Sequence, residues 1–538
     1  MTESVRTKIR KACDLCYRKR IKCDGQTPRC SHCQTYNSQC THEAARRRKK
    51  PPKSRQSQLP KPPSLNDDSP AEIIRSSDSS VPWATEFLDH DLVASFQMEL
   101  PSESHVRQVV DTYLVNINSI FPLFDPDRLI QTVDQWYNIP MQRSRTSWAV
   151  INVVMAITQH CSFGQAGFGR GDLFVDSAQD CLNKAQSVLT EILMGDVELA
   201  NLQIVLGLVM VFQGTSDIKP AVFLISTAVR LSQVLGIHRN DSTIYRNAAS
   251  KDALQLKRVF WVTFILDRNI AMRIGQAPVQ QDGDIDIELP PKKPDGDAAG
   301  FVSTPELNQD GFNLFRAHVE LAQIQGFVHG SLFSVRAQQL SPGEREANCQ
   351  GIRLLLKNWK SRIPATLHPD ALPRTQSYLP SIPNYLCALY GTVLTCLGQL
   401  CQVNSMDFRW LDQLRYYGRS ITAGRCEPSL PPPQPRGWNA LLNECRSFMP
   451  LFTSIQDKSP AFMWMNICPY ASGLVCLSAN SILNFDSTDS IEDQDRRLKL
   501  EAVDMLGEML KQTNHKTLTK VLDAFAELDS QFWLMTKV

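Results

Sequence analysis

KACDLCYRKRIKCDGQTPRCSHCQTYNSQC, residues 11–40, holds six cysteines: Cys13, Cys16, Cys23, Cys30, Cys33 and Cys40. The spacing is C-x2-C-x6-C-x6-C-x2-C-x6-C, one C-x2-C-x6-C unit written twice and joined by six residues. Thiolates at this density point to metal, and all-sulfur tetrahedral sites favour zinc. One tetrahedral zinc would leave two of the six cysteines idle. Two zincs need eight ligand positions, which six thiolates supply only when two of them bridge. The duplication puts one bridge in each half, most simply Cys13 and Cys30. A two-histidine finger does not fit, because His32 and His42 stand too far apart and too far along the chain. A four-cysteine ribbon on Cys13, Cys16, Cys30 and Cys33 would strand Cys23 and Cys40.

Outside this stretch the chain is ordinary for a globular protein: 538 residues, 43% hydrophobic and 21% charged. The formal net charge of +2 conceals an asymmetry. Residues 1–61 carry 17 Lys and Arg against 4 Asp and Glu, and the remainder carries 40 against 51. A basic head on an acidic body predicts that the head meets a polyanion and the body does not. The first residues lack the apolar run of a secretory signal. The apolar run at 204–212 is too short to span a bilayer. The longer one at 385–400 is broken by Gly391, Thr392, Thr395, Gly398 and Gln399, so it reads as a buried core helix. No membrane partner is expected, and the default compartment is a reducing one. The ten remaining cysteines, Cys161 to Cys476, then read as small apolar core residues.

Residues 46–82 are rich in Pro, Ser and charge and carry no helical or strand period, which predicts a disordered linker. From Glu103 onward, apolar residues recur at three- and four-residue spacing. The periodic stretches are 103–119, 145–160, 172–194, 198–213, 217–236, 251–274, 310–336, 344–360, 381–402, 439–454, 460–484, 491–512 and 515–535. Alternating strand patterns are scarce. The fold class expected is therefore mainly α, with a small cysteine module, a disordered linker and a large all-helical domain.

The spacing over 11–40 resembles the fungal Zn2Cys6 binuclear zinc cluster family of transcription factors. That resemblance implies two short helices around two zinc ions per chain, with the first and fourth cysteines bridging, here Cys13 and Cys30. Pro28 sits where the family places a loop proline. Basic residues are confined to the first half: Tyr17-Arg18-Lys19-Arg20-Ile21-Lys22 carries four, whereas Gln34-Thr35-Tyr36-Asn37-Ser38-Gln39 carries none. The first half is thus expected to face DNA. The resemblance implies that Lys19 and Arg20 reach the bases of a CGG half-site in double-stranded DNA, as Lys and Arg read guanine in the major groove. Arg18, Lys22, Lys8, Arg10 and Lys11 then serve phosphates. Tyr17 departs from the arginine commoner in the family. Arg46, Arg47, Arg48, Lys49 and Lys50 read as a nuclear localisation signal, a phosphate-binding arm, or both. The family often carries a heptad coiled coil after the linker. No sustained a/d pattern runs between 41 and 100 here, so a homodimer stays open.

FPLFDPDRLI at 121–130, AVRLSQVLGIHRN at 228–240 and LKRVFWVTFILDRNIAMRIGQAPVQQDGDIDIELP at 256–290 resemble the fungal transcription-factor regulatory domain. VFWVTFIL is apolar on all sides and predicts a buried helix, whose flanking Arg258, Asp267 and Arg268 are expected to be paired. No P-loop, H-E-x-x-H or G-x-S-x-G is present, so no enzyme is expected. The glycines of 164–172 read as a loop. Asp282, Asp284 and Asp286 have EF-hand spacing, but Ile287 and Lys293 stand where that loop needs Gly and Glu, so no calcium site is expected. The domain boundaries expected are 1–50 for the DNA-binding module and 51–100 for the linker. The regulatory domain is placed at 101–340 and its helical continuation at 341–538. Residues 515–535 mix acidic and aromatic residues, as activation segments do, and equally suit a last helix packed on the body. The function implied is a nuclear transcription factor that engages the transcription machinery and controls a secondary-metabolite gene cluster, with a catabolic (carbon or nitrogen source) pathway as the alternative and a zinc-cluster-tethered enzyme or RNA-binding scaffold as the remote one.

Overall fold

A computed structural model describes residues 12–19, 22–26, 28–35, 39–41, 98–161, 177–294, 297–303, 311–372, 381–404, 408–422, 434–455, 458–484, 490–513 and 515–535. The chain divides into two compact units, Met1–Asp68 and Ser69–Val538. The linker expected at 46–82 and the glycine-rich loop at 164–172 lie outside the described residues.

The first unit holds α1 (Asp14–Arg18) and α2 (Ser31–Thr35). Among its described residues the buried core is Cys13, Leu15, Cys16, Cys30 and Cys33. One aliphatic side chain among four cysteines is too little apolar surface to hold thirty residues together, so metal ligation must do so.

The second unit is helical. In chain order it runs α3 (Glu103–Tyr113), α4 (Pro126–Asn138), α5 (Arg145–His160), α6 (Ala178–Gln186), α7 (Leu189–Met194), α8 (Leu199–Gln213), α9 (Lys219–Leu235), α10 (Thr243–Asn247) and α11 (Ser250–Ile274). A two-residue antiparallel pair, β1 (Phe301–Val302) with β2 (Phe312–Asn313), is the one sheet among the described residues. Then follow α12 (Leu314–Val328), α13 (Val335–Gln338), α14 (Pro342–Lys360), α15 (Ile382–Asn404), α16 (Phe408–Thr422), α17 (Trp438–Ser454), α18 (Pro460–Leu483), α19 (Ser490–Thr513) and α20 (Lys516–Met535).

Two hydrophobic cores organise these helices. The first gathers α3 to α11 around Trp148, Val154, Leu208, Phe260 and Phe264. The second gathers α14 to α20 around Trp359, Tyr390, Phe448, Phe452 and Tyr470. Helix α12 is the wall between them. Leu314, Ala317, Leu321, Ile324 and Val328 lie on one helical stripe and join the second core, while Phe315, Val319 and Ala322 lie on another and join the first. Helix α18 is long and apolar enough to cross a membrane, with a mean hydropathy of 1.2, yet 72% of that window is buried inside the protein.

The motif at 121–130 is held by buried amide side chains. Asn118 accepts from the Phe124 amide at 2.9 Å and donates to its carbonyl at 2.8 Å. Gln203 and Gln255 both donate to the Leu123 carbonyl, at 2.6 and 2.9 Å. Asp125 then caps α4 by accepting from the Arg128 amide at 3.0 Å. Arg258, Asp267 and Arg268 are paired. Arg258 meets Asp297 at 2.5 Å. Arg268 meets Asp267 at 2.9 Å and Asp282 at 2.8 Å, with its guanidinium over the Phe264 ring. The Asp267 carboxylate also accepts from the amides of Val279 and Gln280, each at 3.0 Å, and so ties the chain after α11 back onto that helix. The turn itself uses Gly275, whose φ of +67° terminates α11 in the left-handed region that glycine adopts without strain.

The cysteine expectation holds for Cys181, Cys349, Cys387, Cys396, Cys401, Cys445 and Cys476, which are buried. It fails for Cys468, which is exposed on α18, and Cys161 is half-buried. Cys426 lies outside the described residues. Helix α20 buries Leu518, Phe525 and Leu528 in the second core, and Arg419 of α16 meets Glu527 at 2.7 Å.

Candidate metal centre and nucleic-acid interface

Each half of the small unit is built alike. Cys13 precedes α1 and Cys30 precedes α2, and in each case the amide three residues on donates to that sulfur: Cys16 to Cys13 at 3.5 Å, Cys33 to Cys30 at 3.4 Å. The helical turn therefore delivers the C-x2-C pair to one place. Cys13 and Cys30 stand 3.7 Å apart, Cys13 and Cys33 3.6 Å, and Cys16 and Cys30 3.7 Å. A tetrahedral zinc with bonds of about 2.3 Å spaces its sulfurs about 3.8 Å apart. Two sets of four sulfurs lie within 4.8 Å of one another, Cys13, Cys16, Cys23 and Cys30, then Cys13, Cys30, Cys33 and Cys40. Cys13 and Cys30 belong to both. Six sulfurs thus make two four-sulfur cages sharing an edge, and the donor set fits a pair of zinc ions.

The thiols differ in acidity. The Cys33 amide holds Cys30 below its ordinary pKa. Burial works to raise Cys13, but the Cys16 amide and the neighbouring thiols bring it below its ordinary value. Burial pushes Cys16 and Cys33 up, with the adjacent thiols adding to the rise.

Two clasps, on residues the cysteine spacing did not single out, close the unit. The Asp14 amide donates to the Thr41 carbonyl at 2.8 Å and the Thr41 hydroxyl returns to the Asp14 carboxylate at 3.0 Å. Asp24, directly after Cys23, accepts from the Ser31 amide at 3.1 Å and from the Ser31 hydroxyl, joining the first half to the start of α2. The Ser31 hydroxyl and amide hold the Asp24 carboxyl below the usual range.

Some of the basic residues fall among the described residues. Lys19 directly follows α1, its amide bonded to the Leu15 carbonyl at 3.0 Å, and is exposed, as is Lys22. Arg18 ends α1, its side chain outside the described residues. Lys8, Arg10, Lys11, Arg20, Arg46, Arg47, Arg48, Lys49 and Lys50 also lie outside them.

Residues 11–50 match the fungal Zn(2)-Cys(6) binuclear cluster domain and residues 110–361 the fungal specific transcription factor domain. The chain belongs to the fungal zinc-cluster transcription factors. The cluster domain of this family binds two zinc ions, and the domains and relatives of this zinc-cluster protein are those of transcription factors, not of enzymes. An ABC-transporter-regulating transcription factor of Aspergillus fumigatus is 27% identical over 455 residues, 83% of this chain and 48% of the relative. The fusaridione A cluster transcription factor of Fusarium heterosporum is 26% identical over 282 residues, 52% of this chain and 51% of the relative. The chain spans about half the length of these curated relatives. A solved structure, the K. lactis CBF3 core, matches at a TM-score of 0.45 and 14% identity over 81% of this chain and 83% of that one.

Proposed function

We propose that this protein binds double-stranded DNA through its zinc cluster, reads a CGG-type half-site, and regulates transcription in the nucleus. The observation that carries the reading is the pair of sulfur cages sharing Cys13 and Cys30, with α1 between Cys13 and Lys19. Zinc, when bound, fixes the six thiolates and thereby supplies the folding free energy that the small core lacks. The chain does the rest. Helix α1 starts at one shared sulfur, and the segment from Arg18 to Lys22 leaves it with four basic side chains before Cys23 anchors the far end. A segment pinned at both ends gives Lys19 and Arg20 a fixed approach to base edges, while Arg18, Lys22, Lys8, Arg10 and Lys11 reach phosphates. The ligand roles of the six cysteines belong to the same proposal. So do the domain boundaries at 50, 100 and 340, and a transport or phosphate-binding role for Arg46, Arg47, Arg48, Lys49 and Lys50.

The regulated genes are proposed to be a secondary-metabolite cluster, a reading supported by the similarity to the fusaridione A regulator. A second reading, control of transporter genes, is favoured by the wider coverage of the ABC-transporter regulator. Genome-wide occupancy of the tagged protein, paired with expression after deletion, tests both. Enrichment of CGG triplets under the peaks, with biosynthetic genes changing expression, is the expected result. Peaks without CGG enrichment overturn the recognition proposal, and transporter genes changing alone would replace the pathway proposal.

A further inference from the structure

We propose that the cavity between α11, α12, α15 and α18 is a binding site for a small carboxylate with a compact apolar body. The cavity encloses about 120 Å³ where the two hydrophobic cores meet, room for a ligand of about the size of a single substituted ring. Ile270, Ala388 and Pro469 give it apolar wall; Asn269, Gln325 and Thr392 give it polar groups.

Arg273, at the end of α11, is its one charged lining residue. A guanidinium has five N–H donors. One goes to the Gln213 carbonyl at 2.5 Å, which orients the group. Among the described residues no carboxylate pairs with it, although this part of the chain carries 51 Asp and Glu against 40 Lys and Arg. Arg258 and Arg268 on the same helix each have one: Arg258 has Asp297, Arg268 has Asp267. A half-buried guanidinium without a counter-charge is an electrostatic cost that an anionic ligand removes. Burial lowers the Arg273 pKa, opposed by the neighbouring Cys468 side chain.

Asn269 accepts from Gln325 at 3.1 Å, which holds the two amides together across α11 and α12. The arrangement is one fixed cation and several neutral polar groups on an apolar wall, which is the recognition set for a monocarboxylate. A ligand there touches α11 of the first core and α15 and α18 of the second, so its binding favours one placement of the two cores over others.

Cys468 provides the readout, since it is exposed, lines the cavity and lies beside Arg273. Full-length zinc-loaded protein is treated with iodoacetamide in the presence of benzoate or of neutral benzamide, at equal ionic strength. Alkylation is mapped by mass spectrometry of the Cys468 peptide. Benzoate should slow Cys468 modification about tenfold at a tenfold excess over its Kd, and benzamide should not. Arg273→Gln should weaken benzoate roughly 10- to 100-fold, and Arg273→Lys should retain part of the binding. Equal protection by benzoate and benzamide, or none by benzoate, overturns the proposal even if the variants fail to fold. Undiminished benzoate protection in a folded Arg273→Gln protein also overturns it.

Discussion

Cys13 and Cys23 both belong to the first half of the cysteine module, yet the geometry gives them different duties. Cys13 lies in both four-sulfur sets and Cys23 in one. Cys23→Ala leaves the set Cys13, Cys30, Cys33 and Cys40 whole, so one zinc per chain should remain. Cys13→Ala leaves neither set whole, and both zincs should go. The energetic consequence follows from the core. Among the described residues of the unit Leu15 is the one buried aliphatic side chain, and burying a leucine is worth about 2 kcal/mol. Structural zinc in comparable peptides contributes about 10–16 kcal/mol at neutral pH. The unit therefore cannot outlast its metals. Native mass spectrometry of the full-length variants counts zinc per chain, and proteolysis across 12–41 reports whether the unit still folds. The expected order is two zincs for wild type, one for Cys23→Ala or Cys40→Ala, and none for Cys13→Ala or Cys30→Ala. If Cys13→Ala keeps as much zinc as Cys23→Ala, the sulfurs are not shared and the two-cage account is wrong.

Arg268→Ala should cost the helical unit about 3–5 kcal/mol, because it strands the buried Asp267 carboxylate. The exposed Arg239–Asp241 pair should cost under about 1 kcal/mol when broken in the same way. Urea midpoints of the two variants compare them, and an equal, small loss would show that Asp267 is compensated by its amide donors alone. His318 is buried against Phe121 with its Nε2 unpartnered, and burial pulls its pKa down to about 3. The unfolded chain then takes up the proton first. The stability this residue contributes is present above pH 6.5 and is lost as pH falls toward 3, by up to about 1.4 kcal/mol per pH unit. His318→Gln should flatten the pH dependence of the urea midpoint between pH 6.5 and 4; an unchanged slope would place the His318 proton elsewhere.

The metal site was legible because chemistry fixes cysteine number and spacing locally. Two cages from six sulfurs is a counting argument, and Asp24 and Thr41 escaped it because a clasp has no spacing rule. Most helices were legible from apolar period, and three were missed: α4, the single-turn α10 and α16. Helix α4 was quoted at 121–130 only as a motif, although Asp125, Pro126 and then Leu129, Val133 and Trp136 form a cap and an apolar stripe. Helix α16 hides its stripe of Trp410, Leu414 and Tyr417 among arginines. The stretch 172–194 includes two helices, α6 and α7, parted at Ser187 and Val188. Pairing of the charges around α11 was expected from burial. That Arg258 takes Asp297, 39 residues on, depends on tertiary placement and has no local signal. The same holds for the two-sided use of α12, whose residues read simply as apolar until two cores are present to divide them.

The central claim is that the first cysteine half reads sequence while the basic run beyond Cys40 only attracts DNA. It is tested by titrating Lys19→Ala, Arg20→Ala and a protein neutralised at Arg46, Arg47, Arg48, Lys49 and Lys50 against CGG and scrambled duplexes at several salt concentrations. The account predicts that Lys19→Ala and Arg20→Ala each lose about 1–3 kcal/mol on the CGG duplex and narrow the gap to the scrambled one. It predicts that the neutralised run loses affinity for both alike, with the log–log salt slope reduced by close to one per phosphate contact removed. Equal losses on both duplexes for Lys19→Ala and Arg20→Ala would contradict it, and would place base reading outside the first cysteine half.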